Sequence, residues 1–219
     1  MAPDGTETNH PAHHGGRLQV SEQHVVVIPT RKLDGPELEA VVSRAVKVLR
    51  EPLELRSPLP VPQGVEDPER GQFRASQLMK RLHAMVPQLG PGQLVGPEGT
   101  EKARPQLNPA GHVFITDVDM FTEKSDGVFA ALLPARKLAV ISVRRLREAF
   151  YRRRADPVRQ RARLVKELLR MVIRLKGLRA CEDPKCVLSA SRMLADLDLK
   201  DEQLCRTCSQ SLFSGTMRI

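Results

Sequence analysis

Tryptophan is absent from the 219 residues, and Tyr151 is the only tyrosine. Without aromatic platforms the chain has little with which to stack splayed bases. No apolar run approaches the roughly 20 residues of a membrane-spanning helix. Met1 to Gly16 is polar and His-rich, with no hydrophobic stretch for export. The sequence therefore reads as a soluble, cytoplasmic protein. Cysteine is scarce: there are four, and all lie after residue 180. A secreted scaffold would spread its bridges along the chain, whereas late clustering points to one local site.

What is present is enough for a genuine core, with 41% hydrophobic residues, and positive charge in excess. Lys and Arg number 35 against 26 Asp and Glu, a formal net charge of +9. From Arg144 to Arg179 the chain carries fourteen basic residues and three acids, Glu148, Asp156 and Glu167, so the remainder nets −2. Such a field favours an anionic partner, either nucleic acid or an acidic protein surface. The plainer alternative is a solvated helix face.

Periodicity and punctuation give the element order. Residues 1–21 lack periodicity and read as a disordered tail, as do 213–219. His24 to Thr30 is a buried strand. Asp34 and Pro36 open a helix whose apolar positions run from Leu38 to Leu49. A short strand at Leu53 to Arg56 precedes a second helix, Ala75 to Val86. Gln88 to Gly111 is a Pro/Gly loop without periodicity. His112 to Asp117, Gly127 to Leu133 and Leu138 to Ser142 are strands, and helices follow. The expected class is a single α/β (α+β) domain over residues 22–212.

The longest helix starts at Pro157 and stops at Gly177. Leu164, Val165, Leu168, Met171, Val172 and Leu175 fall on one face. Arg159, Arg163, Lys166, Arg170 and Arg174 fall on the other. A merely solvated face usually interleaves Glu with the cations, which makes a binding face the sharper reading here. Beyond the helix come Cys181-x4-Cys186 and, 18 residues on, Cys205-x2-Cys208. Two short-spaced pairs at this separation suit one closed, tetrahedral, structural Zn2+ of four thiolates. Two disulfides or four free thiols are the alternatives.

The helix, its Gly stop and the four cysteines together resemble the archaemetzincin family of zinc metalloproteases. That family's signature is HExxHxxGxxHC, followed by CxM and CxxC. Asp67 to Ala75, Ile115 to Phe121, Gly127 to Ala130 and Ala139 to Ser142 also look like family segments in family order, and the resemblance covers residues 23 to 212. It implies a metzincin-like domain with a mixed sheet, a long former active-site helix and a C-terminal four-cysteine zinc knuckle at 181–208.

Anchored on Gly177 and Cys181, the signature places Arg170 at the first His, Met171 at the Glu, Arg174 at the second His and Ala180 at the third. Guanidinium has no lone pair to offer a metal, and Met171 cannot be a general base. The sequence thus predicts one structural zinc on Cys181, Cys186, Cys205 and Cys208 and no catalysis, a pseudoenzyme. The side chains of Arg163, Lys166, Arg170 and Arg174 are expected to meet an anion or an acidic partner. Among degenerate members the resemblance is to the CarG-type co-regulators. It implies a protein-interaction module bound to a CarD-type transcription factor and placed at the nucleoid through it, without direct DNA contact. Direct nucleic-acid binding by the 144–179 region is the second expectation, and an active metalloprotease the third.

Overall fold

The computed structural model describes residues 24–30, 33, 35–103 and 109–213. The tail expected at 1–21, the helix-opening Asp34 and residues 214–219 lie outside the described residues. The chain runs β1 (Val25–Pro29), α1 (Gly35–Leu49), β2 (Leu53–Leu55), β3 (Glu66–Asp67), β4 (Gln72–Arg74), α2 (Ala75–Met85), β5 (Gln93–Gly96), β6 (Gly99–Lys102), β7 (Gly111–Thr116), β8 (Met120–Phe121), β9 (Ala130–Leu133), β10 (Leu138–Ser142), α3 (Pro157–Leu175), α4 (Leu194–Leu199) and α5 (Arg206–Phe213). The architecture is the mixed α/β arrangement expected.

The main sheet has seven strands in the order β6-β5-β2-β1-β7-β10-β9. Its centre is parallel, with β2, β1, β7 and β10 side by side. Both rims are antiparallel, β9 on β10 and the β5–β6 hairpin on β2. β1 is buried at every residue, because a central strand is covered on both faces. Its side chains alternate: Val25 and Val27 join the cluster containing α1 and α3, and Val26 and Ile28 join the cluster containing α2.

Two departures from the sequence reading have physical causes. The hairpin β5–β6 lies in the stretch expected to be loop. Its strands are short, and β6 (Gly-Thr-Glu-Lys) is exposed throughout, so it carries no alternation to read. The helices α4 and α5 span only 6 and 8 residues. They are too short for a periodic signal and depend on tertiary contacts.

The α2 face carries a buried titratable group that gives a pH prediction. His112, 7% exposed, stands in register with Val26, and its ring packs edge-on to His83 with centroids 5.1 Å apart. Burial first, then the charges of His83 and Arg56, push its pKa down to about 4. The folded state thus refuses a proton that the unfolded chain accepts near pH 6.5. Stability is full above that pH and falls as pH drops through the window from 6.5 to about 4, by up to about 3 kcal/mol. A His112→Leu chain should lose this slope. Urea unfolding at intervals between about pH 7 and about pH 4 checks it, and identical slopes in both proteins would refute the assignment.

Candidate metal centre and the cationic helix

Helix α3 is built as its sequence dictates. Asp156 caps it by accepting the Arg159 N–H at 2.9 Å. Pro157 occupies the first turn. Gly177, at φ +95°, ends it. Leu164, Val165, Leu168, Met171 and Val172 are buried as expected, but so are Leu169 and Ile173. The helix packs against the sheet and α1, and a second covering comes from α4 of the C-terminal segment.

That second covering changes the meaning of the cationic face. Arg163 is only 1% exposed. Its guanidinium donates to Asp198 at 2.7 and 2.6 Å, to Glu148 at 2.6 Å and to the Leu146 carbonyl at 2.9 Å. Lys166 is buried and donates to the Leu197 carbonyl at 2.9 Å. Arg170 donates to both oxygens of Glu167, each at 3.1 Å from Nε. Glu167 has no exposure, and the Lys200 ammonium stands 3.8 Å from the same carboxylate. Arg174, like Lys166, meets no carboxylate among the described residues; it donates to the Leu178 carbonyl at 3.0 Å. The four side chains expected on one open face therefore have separate tasks, and two are interior ties to α4. Glu148, Asp198 and Lys200 complete those ties. They lie 15 to 35 residues away in sequence from the α3 side chains they meet, so no local pattern could reveal them.

Asp119, which follows β7, serves a different cation. Asp119 pairs with Arg145 at 2.5 and 2.9 Å and accepts from Gln72 at 2.9 Å. Burial would raise the Asp119 carboxyl, but those bonds outweigh it and hold its pKa below the usual range.

The four cysteines converge. Their sulfurs all lie within 4.8 Å of one another, with Cys181 and Cys205 at 3.7 Å. The backbone explains how. The Cys181 N–H bonds the Leu188 carbonyl at 3.2 Å, and the Val187 N–H bonds that of Gln203 at 3.0 Å, which clamps the two halves of the segment. Cys186 is buried, and its sulfur accepts the Cys205 N–H at 3.4 Å. Cys208 sits in the first turn of α5. Burial pushes the thiols of Cys186 and Cys208 up, whereas the N–H of Cys208 chiefly brings Cys205 down. Four thiolates at these distances fit one tetrahedral zinc, with no position left for water.

The positions at which the signature carries its other ligands do not fit a second ion. Arg170 and Arg174 are cations with no lone pair, held by Glu167 and the Leu178 carbonyl. Neither Met171 nor Ala180 supplies a base or a nitrogen. Among the described residues the cysteines are the sole group able to hold a metal.

The peptidase family M54 model matches residues 106–213. An archaemetzincin of Methanocaldococcus jannaschii is 34% identical over 98 residues, 45% of this chain, and the chain spans about half (55%) of that relative's length. An archaemetzincin of Natronomonas pharaonis is 25% identical over 86% of this chain and 99% of its own. A zinc-dependent peptidase from Methanocorpusculum labreanum superposes with a TM-score of 0.71 at 22% identity, covering 86% of this chain and 99% of that one. These findings correct two expectations. The reading as a co-regulator, with nucleic-acid binding as its alternative, gives way because the matching model is that of a peptidase family, the relatives are archaemetzincins and the solved neighbour is a zinc-dependent peptidase. The classification as a non-enzyme gives way on the same ground.

Proposed function

We propose, for a chain whose kinship is with the archaemetzincins of peptidase family M54 and whose fold is theirs, that its substrate class is an extended peptide, taken up along β9. The observation that carries this is the antiparallel rim strand. Among the described residues β9 is paired on one side only, by β10. It is half-buried throughout and packs against α3. An unpaired edge presents a row of N–H and C=O groups, and a peptide can add to it as a further strand. The four-cysteine zinc site supports this indirectly, since it holds the C-terminal segment that backs α3. A hydrolytic step through a second metal has no support in this chain, because the residues at those positions do not fit one.

Strand addition needs the peptide's own N–H groups. An extended peptide should therefore raise the Tm of the zinc-loaded protein, and the same peptide N-methylated at alternate residues should not. Mass spectrometry of the same mixtures reads cleavage, the activity named for the relatives. If the two peptides act alike, or neither binds, the β9 reading fails.

A further inference from the structure

Aromatic residues make up only 3% of the chain, yet two of them stand side by side at the surface. Phe150 and Tyr151 close the 3-10 turn Glu148–Tyr151, which lies between β10 and α3. Each is 37% exposed, whereas Phe73, Phe114, Phe121 and Phe129 are buried or half-buried. Their rings meet edge to face, with centroids 5.0 Å apart and planes at 77°. A guanidinium lies over each ring. Arg145 is 4.9 Å from the Phe150 centroid, and Arg153 is 5.7 Å from that of Tyr151. Both arginines are themselves held. Arg145 makes the pair with Asp119 described above, and Arg153 approaches Glu148 at 3.5 Å. Arg159 reaches the same Glu148 carboxylate at 3.7 Å. These contacts join Arg145, Phe150, Tyr151, Arg153 and Arg159 into one preformed patch.

Its charge stays unbalanced with every ion pair counted. From Arg144 to Arg154 the chain has six arginines and one acid, Glu148. Glu148 is 6% exposed and is bonded by the buried Arg163. Asp119 is committed to Arg145, and Asp156 to the cap of α3 and to Arg159. Arg144, Arg147, Arg152 and Arg154 meet no carboxylate among the described residues, and Arg144, Arg152 and Arg154 are exposed. A competing explanation is that the two rings only roof the tie between Glu148 and Arg163. Roofing accounts for the covered part of each ring, but gives no reason for the surplus of cations around them.

Tyr, Phe and Arg held together at a surface are the composition of binding hot spots, and their fixed arrangement removes part of the ordering cost of binding. Charge selects the partner. A second copy of a chain with net charge +9 would set like against like. Stacking of successive bases needs open ring faces, and here each ring has a guanidinium over it and the two stand nearly perpendicular. Insertion into a membrane needs apolar side chains that protrude, and these are covered over most of their surface. We infer that the patch docks a protein partner through an acidic segment that carries a large apolar side chain among its carboxylates. The apolar group meets Phe150 and Tyr151, and the carboxylates meet Arg152, Arg153 and Arg154. The inference concerns a surface other than the β9 edge and stands without the peptide reading above.

Fluorescence anisotropy on the zinc-loaded full chain tests it with two labelled Glu-rich peptides of one length, one with a central Phe and the other with Ser in its place. The Phe peptide should bind about tenfold tighter, and Tyr151→Ser should remove that difference. Arg152→Glu with Arg154→Glu should weaken the Phe peptide by about tenfold or more. Both positions are exposed, so this double variant should keep the parental Tm. Lys80→Glu with Arg81→Glu makes the same change of charge at exposed positions of α2, across the sheet from α3, and should leave binding unchanged. Equal binding of the two peptides, equal weakening by the two double variants, or no binding of either peptide overturns the docking site. Tighter binding of oligodeoxythymidylate or of phosphatidylserine vesicles than of the Phe peptide overturns it too, and assigns the patch to nucleic acid or to a membrane surface.

Discussion

A Cys186→Ser variant should lose its zinc and melt well below the parent protein. Cys186 is the most enclosed of the four ligands, 1% exposed, and its sulfur is also the acceptor for the Cys205 N–H. Three remaining thiolates cannot close a tetrahedral shell, so the ion becomes exchangeable. The consequence should be local first. α5 is 8 residues long, too short to persist alone, and Leu204, Cys205, Cys208 and Leu212 only border the main core. Without metal the segment from about residue 203 should fray, and the cover on α3 loosens with it. Binding energies of structural zinc run to about 10 kcal/mol and more. Part of that is spent ordering the segment, and a net loss of at least about 3 kcal/mol is expected. For a chain of this size that is roughly 6–12 °C in Tm. A strong chelator should reproduce the effect on the wild type. The zinc must bind thiolates, so affinity falls as pH drops. Metal analysis should give one zinc per wild-type chain. A metal-free variant that melts with the parent would refute a structural role.

The contrast between what could and could not be read along the chain is clearest on α3. Its start at Pro157, its end at Gly177 and its inward face all follow from local rules, and the structure keeps them. The cysteine spacing likewise announced a convergence that the fold delivers. The opposite face was misleading because binary patterning treats a cation as a sign of solvent. Arg163 and Lys166 are interior, and what makes them tolerable comes from a 3-10 turn at Glu148 and from α4, remote in sequence. The sheet order is similarly invisible: β1 lies between β2 and β7, and the whole of α2 and the β5–β6 hairpin intervene between those two strands in the chain. The substituted positions were legible as chemistry, since no spacing turns a guanidinium into a ligand. They were not legible as classification, which follows from kinship along the chain rather than from the residues at one site.

The interior tie of Arg163 sets the second large effect. An Arg163→Ala change removes the sole cation among the described residues that reaches both Glu148 and Asp198, at 2.6 Å each. It also frees the Leu146 carbonyl. Arg153 and Arg159 remain near Glu148, but at 3.5 and 3.7 Å and largely exposed, where they are screened. Breaking a buried pair by deleting one partner typically costs about 3–5 kcal/mol, because the orphaned charges stay behind. The Tm should fall by on the order of 10 °C. Arg163→Lys should cost less, since an ammonium can satisfy one carboxylate but not bridge two. The acid limb adds an independent check. The Arg163 hydrogen bond is the main cause holding Glu148 below the usual carboxylate range. Its contribution is therefore present above the unfolded pKa of about 4.3 and lost as pH falls through the lower folded value. Arg163→Ala should flatten that limb, since Glu148 then has little left to lose on protonation. A variant that keeps both its stability and the parental acid slope would show that α4 is fastened to α3 by something other than this network.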